Sequence, residues 1–337
     1  MTITRTIPVV DGMTRARFEA EILPAARPVV MKNLVGDWPA VARARESSES
    51  VAAYLKAMDT SGQPAHVGLL PPQYNGRFFY KPDMDGYNFF SDRRSVSAVI
   101  DWLVANRERG DVMATYIQSL VLELYMPGFA EANTLSLLDQ TYGPRMWIGN
   151  HVRTQTHFDP SHNIACCVAG SRRFTLFPPE QIDNLYPGPF DTGPGGVPVS
   201  MAAIEEPDFV TYPRLAQALE AGMYGDLEPG DAIYVPYAWW HHVQSAPGFN
   251  VLVNYWWNEA GGQWLSPLPA LYAAILTLRD LPAGQKAVWR HILDLYVFDD
   301  PAAAAAHLPQ ERRSAFGAMT QKTRERLLLM IKSSLRL

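Results

Sequence analysis

The sequence is poor in cysteine, which limits the kinds of site it can build. Its 337 residues contain two cysteines, Cys166 and Cys167, and these are neighbours. Adjacent side chains on a β-strand point to opposite faces, which suits neither a strain-free disulfide nor a shared metal ion. We therefore predict that both are small buried residues of the core.

Long apolar segments and an excess of basic charge are also missing. No run of about 18 apolar residues occurs, and the N-terminal MTITRTIPVVDGMTRARFEAEI has no continuous apolar segment of the kind that a signal peptide needs. The formal net charge is −5, which argues against nucleic acid as the main partner. We expect a soluble protein in the cytoplasm with no membrane partner.

The sequence does contain a central series of short β-like segments punctuated by glycine and proline. These segments, within residues 115–262, predict an all-β sandwich or barrel. Residues 1–114 would form an N-terminal elaboration packed on this core, and residues 263–337 a helical C-terminal region. The segments are ATYIQSL, RMWIGNHV, NIACCVAG, RRFTLFPP, DAIYVP and NVLVNYWW.

Amphipathic patterns lie on both sides of this core. Residues 47–58 and 95–109 have the periodicity of helices, and RPVVMKNLV at 27–35 has the composition of a strand. After residue 265 three apolar stripes predict three helices, which either cover the β-core or pair with a second copy of the chain. The stripes are Leu271, Ala274, Ile275 and Leu278; Trp289, Ile292, Leu293 and Tyr296; and Leu327, Ile331 and Leu335.

Two irregular segments have open interpretations. The aromatic-rich FFYKPDMDGYNFF at 78–90 favours core packing around a strand and a turn, and the alternative is the wall of a substrate site. The proline- and glycine-rich YPGPFDTGPGGVPVS at 186–200 predicts an exposed loop, and long loops in compact domains are often functional.

Polar residues that can bind a metal precede one of the apolar strands. In T-Q-T-H-F-D-P-S-H-N, His157 and Asp159 are two residues apart, so on a strand they would share a face. A further histidine follows the predicted strand of GDAIYVPYAWWHHVQS, at His241 or His242. Two imidazoles and a carboxylate on a β-scaffold are typical of non-haem Fe(II) oxygenases. The alternative is a surface histidine and a turn aspartate before Pro160.

Longer blocks around these residues resemble a known family. TQTHFDPSHNIACCVAGSRRFTLFPPEQ, GDAIYVPYAWWHHVQS and NVLVNYWW look like the JmjC-type, cupin-like 2-oxoglutarate oxygenases, and ILPAARPVVMKNLVGDWPA resembles the N-terminal segment of that family. The resemblance is strongest to the branch that contains the asparaginyl hydroxylase inhibiting the hypoxia-inducible factor. It implies a double-stranded β-helix of the cupin or jelly-roll type, mainly β with helical additions (α+β) and a C-terminal helical appendage.

The same resemblance implies an iron site and a co-substrate pocket. His157, Asp159 and His241 would bind Fe(II), with His241 preferred to His242 because the family pattern places the ligand histidine two residues before the valine that follows. His242 would point the other way on the strand, as a packing or supporting histidine. Where the family has a lysine for the distal carboxylate of 2-oxoglutarate, this chain has Arg172, which keeps the charge and offers a planar fork. The alternative is a solvated Arg172 in the SRR turn.

Further polar positions match the family's pocket. They would hold 2-oxoglutarate, although each taken alone is more simply a satisfied polar group of the core. These residues are Thr154, Tyr116, Asn163 and Asn254. Gln118 and Trp256 fall on positions where they would contact the substrate or form the wall of the pocket.

The predicted activity is the 2-oxoglutarate- and O2-dependent hydroxylation of a C–H bond, most favourably on a protein or peptide side chain, with release of succinate and CO2. The carboxylate of Asp159 favours hydroxylation, alone or followed by N-demethylation, over halogenation. One alternative keeps this chemistry and replaces the substrate with a small metabolite or a modified RNA. Another is a metal-binding cupin without oxygenase activity. The resemblance also implies a homodimer formed through the C-terminal helices.

Overall fold

The computed structural model describes residues 3–139, 142–190, 192–194, 196–258, 266–317 and 319–335. The chain divides into two compact units, Met1–Trp264 and Leu265–Leu337, which are called the N-terminal and C-terminal units below. The described strands all belong to the N-terminal unit. The boundary predicted between residues 262 and 263 lies outside the described residues.

The described part of the N-terminal unit contains fourteen strands, which form two sheets. Their bounds are β1 Val9–Asp11, β2 Val29–Lys32, β3 Pro64–Leu70, β4 Arg77–Phe78, β5 Phe90–Ser95, β6 Ala114–Val121, β7 Arg145–Gly149, β8 Arg153–His157, β9 His162–Ala169, β10 Arg172–Phe177, β11 Met223–Leu227, β12 Ala232–Val235, β13 Trp240–Ser245 and β14 Asn250–Trp257. Each of the six segments that the sequence predicted as a core strand overlaps one of them.

The two sheets face each other and enclose an apolar interior. The larger sheet has the order β1-β2-β12-β9-β14-β7-β6-β3-β5, and the smaller has the order β11-β10-β13-β8-β4. Buried side chains from both sheets meet between them, including Cys167 and Leu252 from the larger sheet and Phe174 and Leu176 from the smaller. The predicted cupin-like fold, mainly β with helical additions, is confirmed.

Strand β9 explains why the run NIACCVAG is apolar throughout. All its residues are buried, because one face meets the inner core between the sheets and the other meets helices on the outside. Cys166 belongs to the outer core and Cys167 to the inner core. Both are free thiols, as the sequence predicted, and they point to opposite faces of the strand.

Helices cover the outer face of the larger sheet. The N-terminal unit contains α1 Arg15–Arg17, α2 Leu23–Ala25, α3 Pro39–Glu46, α4 Ser48–Met58, α5 Val96–Ala105, α6 Leu122–Tyr125, α7 Gly128–Ala132 and α8 Leu215–Ala221. Val41 of α3, Leu55 of α4 and Ile100 of α5 share one core cluster with the outward side chains of the larger sheet, among them Ile148.

Serine side chains fix where two of these helices begin. The side chain of Ser47 accepts a hydrogen bond from the Ser50 backbone at the start of α4, and Ser95 accepts one from Ala98 at the start of α5. Helix α5 ends at Ala105, short of the predicted residue 109. Asn106 follows it, and its side chain donates to the carbonyl oxygen of Trp102 at 2.8 Å.

The C-terminal unit is helical in its described part, with many apolar side chains on its surface. Its helices are α9 Leu268–Leu278, α10 Ala283–Leu293, α11 Pro301–Ala304 and α12 Gln321–Leu335. Trp289 and Ile331, from two of the predicted stripes, are 44% and 53% exposed. The side chain of Leu335 lies outside the described residues. Among the described helices, none combines the length and the apolarity needed to cross a membrane.

Candidate active site

Two strands of the smaller sheet bring the predicted metal ligands together. Strands β8 and β13 pair antiparallel with His157 opposite His241, and the two imidazole rings have centroids 4.3 Å apart. Strand β8 ends at His157, so the expectation that Asp159 lies on the same strand is wrong. Asp159 still reaches the site, because its Oδ2 lies 3.6 Å from Nε2 of His241. One potential ligand atom from each of the three residues lies within 4.8 Å of the others.

Backbone carbonyl groups orient both imidazoles. Nδ1 of His157 lies 2.8 Å from the carbonyl oxygen of Gln155, and Nδ1 of His241 lies 3.1 Å from that of Trp239. A carbonyl oxygen only accepts, so the proton sits on Nδ1 and the lone pair of each ring on Nε2. Burial lowers the pKa of His241 to about 4, helped by the nearby His157 and opposed by Asp159. His241 therefore presents the lone pair of Nε2 toward Asp159.

The neighbouring His242 points elsewhere. On β13 it is paired with Thr175 of β10, and its Nε2 lies 2.9 Å from Oε1 of Glu205. Burial raises the pKa of Glu205, but the contact with His242, a backbone hydrogen bond and the charge of Arg153 together outweigh it and bring that pKa to about 2. His242 is thus a buried partner of a carboxylate, and it does not line the cavity in which His241 lies.

The three candidate ligands line a cavity of about 380 Å³ between the two sheets. All ten of the predicted site residues line this one cavity. They are Tyr116, Gln118, Thr154, His157, Asp159, Asn163, Arg172, His241, Asn254 and Trp256. Residues distant in sequence therefore meet in one cavity. The resemblance to the family implied this, whereas the spacing of the residues along the chain did not.

Arg172 is a buried guanidinium with little to bind. Its residue is 4% exposed, its Nη2 makes a long hydrogen bond of 3.4 Å to the carbonyl oxygen of Trp147, and the guanidinium also contacts the hydroxyl of Tyr116. Nε is buried and has no partner. Among the described residues no carboxylate forms an ion pair with it. The alternative of a solvated arginine in the SRR turn is wrong, because the side chain is buried. A buried positive charge without an ion-pair partner calls for an anionic ligand.

Tyr116 stands beside this guanidinium. Burial raises the pKa of its hydroxyl, an effect that the nearby charge of Arg172 and the hydrogen bond with Thr154 oppose. The phenol therefore stays protonated at neutral pH and keeps an O–H group to donate. Tyr116, Thr154 and Arg172 together offer an anion one charged donor and one hydroxyl donor, because one of the two hydroxyls already donates to the other.

Two asparagines on adjacent strands form a chain with a tryptophan. Nε1 of Trp147 donates to Oδ1 of Asn254 at 2.7 Å, and Nδ2 of Asn254 donates to Oδ1 of Asn163 at 3.0 Å. Both amide groups are buried. Asn254 thus uses its carbonyl and one donor within the protein, and it positions Asn163 and Trp147 along the cavity wall.

Sequence analysis missed several parts of the cavity. Phe78 and Phe89, from the aromatic-rich segment, line it, so that segment serves both core packing and a wall. Val199, from the proline- and glycine-rich loop, lines it as well. Arg145 and Ser119 also belong to the lining. A signal for Arg145 was its place at the polar start of the strand segment RMWIGNHV.

Comparison with known proteins agrees with this geometry. A family model described as a cupin-like domain matches residues 15–263. The Lysine-specific demethylase JMJ31 of Arabidopsis thaliana is 31% identical over 148 residues, which are 44% of this chain and 25% of that protein. The Jumonji C domain-containing protein 5 of Drosophila melanogaster is 25% identical over 259 residues, 75% of this chain and 60% of that protein.

A third relative is similar in length to the matched region. The tRNA wybutosine-synthesizing protein 5 of Gallus gallus is 26% identical over 272 residues, 75% of this chain and 77% of that protein. The chain therefore spans between a quarter and about three fifths of the first two relatives, and more of the third.

Proposed function

The chain belongs to the cupin-like, JmjC-type domain family, and from that membership we propose that it is an Fe(II)- and 2-oxoglutarate-dependent oxygenase that hydroxylates a C–H bond. The co-products would be succinate and CO2. The substrate we favour is a protein or peptide side chain.

The donor set fits a ferrous ion. His157, Asp159 and His241 supply two imidazole nitrogens and one carboxylate on neighbouring elements, a combination that suits non-haem Fe(II) and leaves room for other ligands. When bound, the ion would activate O2 with the electrons of 2-oxoglutarate. The chain's own residues orient the ligands, through the carbonyl groups of Gln155 and Trp239, and surround the site with apolar and aromatic walls.

The observation that carries the proposal is that the buried guanidinium of Arg172 has no ion-pair partner among the described residues. A guanidinium that is 4% exposed, with an unpartnered Nε and no carboxylate among the described residues to pair with it, needs an anionic ligand. The anion must fit within a cavity that also contains the metal ligands. A dicarboxylate co-substrate meets both conditions, because one end can reach the metal and the other the guanidinium. A metal-binding cupin without oxygenase activity has no need of a buried arginine in the cavity that contains its metal ligands.

The substrate proposal has separate support. The sequence resembles the branch of the family that contains an asparaginyl hydroxylase, and one relative is called a lysine-specific demethylase. Gln118, at the cavity, is exposed to solvent, so the site can be reached by a side chain presented from a larger molecule. The alternative substrate is a modified RNA, since one relative is named for tRNA wybutosine synthesis. The net charge of −5 disfavours RNA binding.

The test is 2-oxoglutarate turnover by purified protein. With Fe(II) and O2 present, we expect succinate to form slowly without a prime substrate and faster with a peptide pool, in which mass spectrometry should find a gain of one oxygen. A protein with Asp159→Ala should give neither signal. Binding of a metal with no binding of 2-oxoglutarate would contradict the proposal, and oxygen gain in a metabolite pool with none in peptides would replace the substrate class.

A further inference from the structure

A second arginine of the cavity has donors that the protein leaves unused. Arg145 opens strand β7, and its Nη1 donates to Oγ of Ser119 at 3.1 Å and lies 3.5 Å from the carbonyl oxygen of the same residue. Its guanidinium carbon lies 5.7 Å from the centroid of the Trp256 ring. Nε and Nη2 make no hydrogen bond to any described residue. The guanidinium is therefore fixed at one end and free to donate at the other.

The residue that holds Arg145 is in a strained conformation. Ser119 has φ 53°, in the left-handed region that residues other than glycine rarely adopt. It lies where the pairing of β6 with β7 shifts register between Ile117 and Leu120, which is the signature of a β-bulge. Bulges and strained residues concentrate beside functional sites, where they redirect a side chain. Here the bulge turns the Ser119 side chain toward the guanidinium of Arg145.

The charges around the cavity do not balance without a further anion. Among its described lining residues, Asp159 is the one acidic group, and Arg145 and Arg172 are the two that carry a positive charge at neutral pH. Fe(II) and the 2-oxoglutarate dianion would offset each other, and Asp159 would offset one arginine. One positive charge then remains, and once 2-oxoglutarate is bound to Arg172 the arginine left with unused donors is Arg145.

From this we propose that Arg145 is a specificity-determining residue that binds an anionic group of the prime substrate, a carboxylate or a phosphate ester on a peptide close to the hydroxylated carbon. The inference rests on the proposed oxygenase activity and narrows its substrate class. An arginine suits this task because its planar fork can bind two oxygens of such a group at once. Trp256 would form the apolar wall beside that group, and the exposed Gln118 lies nearby on the bulged strand β6.

The experiment compares binding of short peptide pools that differ at one fixed position. The pools carry acidic residues, phosphoserine, neutral amides or lysine there, and they are measured by calorimetry against protein loaded with Mn(II) and 2-oxoglutarate in the absence of O2. We expect wild-type protein to bind one of the anionic pools about tenfold or more tightly than the amide pool, as for a charge-assisted hydrogen bond to a partly desolvated group. Preference for the acidic pool would identify a carboxylate, and preference for phosphoserine a phosphate.

Variants assign that preference to a residue. Arg145→Gln should abolish it, Arg145→Glu should shift it to the lysine pool, and Ser119→Gly, which tolerates the left-handed backbone but lacks the hydroxyl, should weaken it. Arg173→Gln removes an arginine outside the cavity and should leave it unchanged. In Arg145→Gln, Ser119→Gly and Arg173→Gln the affinity for 2-oxoglutarate should change by far less than the peptide preference, whereas Arg145→Glu brings a negative charge into the cavity and should also weaken 2-oxoglutarate binding.

Two results would overturn the inference. One is that wild-type protein binds 2-oxoglutarate but has the same affinity for all the peptide pools or binds none of them. The other is an anionic preference that survives Arg145→Gln. Failure of the proposed oxygenase function looks different, because protein that cannot bind 2-oxoglutarate fails before any peptide is added.

Discussion

Arg172 and Arg173 are neighbours on strand β10 with opposite surroundings. Arg172 faces the cavity, where it is 4% exposed and its Nε has no partner. Arg173 lies on the outer face, where Nε and Nη2 each donate to a carboxylate oxygen of Asp226 at 2.7 Å. The charge of Arg173 is paired within the protein and that of Arg172 is not. The two environments differ because successive side chains of a strand point to opposite faces. The pair is therefore a matched test of the co-substrate pocket.

We predict that Arg172→Ala raises the 2-oxoglutarate concentration needed for half-maximal turnover by roughly two orders of magnitude, since each tenfold corresponds to about 1.4 kcal/mol. The reason is that one end of a partly buried dianion loses its charged partner. Metal affinity should change little. Arg172→Lys should recover part of the loss, because it restores the charge without the fork. Calorimetric titration with 2-oxoglutarate measures the effect without turnover.

Arg173→Ala is the control, and it should bind 2-oxoglutarate like the wild type because an exposed ion pair contributes little. If Arg173→Ala were the damaging change and Arg172→Ala silent, the pocket assignment would have to be abandoned.

The metal ligands give a second prediction. His157→Ala, Asp159→Ala or His241→Ala should each reduce Mn(II) or Fe(II) binding by at least about a hundredfold and abolish turnover, because each removes one donor of three. The β-fold should persist, which circular dichroism can verify. His242→Ala is the neighbouring control, since its imidazole contacts Glu205 and not the cavity. Metal binding that survives His241→Ala and is lost in His242→Ala would show that the wrong histidine was chosen.

Strand periodicity was enough to predict much of the core. The apolar character of the β9 and β14 segments agrees with the burial of nearly all their side chains, and a strand overlaps each predicted segment. The position of Asp159 was less predictable. It follows the end of β8 instead of continuing the strand, and only the pairing of β8 with β13 brings it near His241.

The cavity wall was the harder part to predict, because it depends on contacts between distant segments. Arg145 is fixed by a β-bulge at Ser119, and no local pattern reports a bulge that the partner strand creates. The end of α5 was missed for a related reason. The periodicity continues past Ala105, but the side chain of Asn106 binds the carbonyl oxygen of Trp102 and the helix stops there.

The asparagine chain beside the cavity gives a third prediction. Asn254→Ala should lower the free energy of unfolding by about 1 to 3 kcal/mol, because it leaves the indole N–H of Trp147 and the amide of Asn163 without their buried partner. It should also weaken 2-oxoglutarate binding, but less than Arg172→Ala does. Asn106→Ala removes a helix-terminal hydrogen bond outside the cavity, so it should cost stability without changing 2-oxoglutarate affinity. Equal effects of the two variants on that affinity would exclude a local role for Asn254.

The exposed apolar side chains of the C-terminal unit support a fourth prediction, that two copies of the chain pair through it. Ile331, from the predicted α12 stripe of Leu327, Ile331 and Leu335, is 53% exposed, and an exposed apolar stripe is stabilised by an isologous contact. Light scattering should give the mass of a dimer at micromolar concentration. Ile331→Glu should shift it toward a monomer while the helix content is kept, and Lys332→Glu, on the next position of α12, should not. A wild-type monomer would count against the pairing.

The buried thiols give a prediction for alkaline pH. Burial raises the pKa of Cys166, and it raises that of Cys167 to about 12, an effect that Arg172 partly opposes. An unfolded cysteine has a pKa of about 8.5. Above that pH the unfolded chain releases these protons and the folded chain retains them, so stability is complete below about pH 8.5 and falls as pH rises. From pH 7.5 to 9.5 each thiol should cost about 1.4 kcal/mol of unfolding free energy.

Denaturant titrations at several pH values between 7.5 and 9.5 measure this loss. Cys167→Ala leaves a small void, so its free energy of unfolding should be lower than that of the wild type at pH 7.5. Because it lacks one of the two thiols, its free energy of unfolding should fall less as the pH rises. Tyrosines such as Tyr255, whose pKa burial also raises, titrate near pH 10 when unfolded, so they add little to the slope until the upper end of this window and add equally in the wild type and in Cys167→Ala. Native protein should also resist thiol alkylation until it is unfolded. An equal slope in the wild type and in Cys167→Ala, or rapid alkylation of native protein, would show that these side chains are not held in the core.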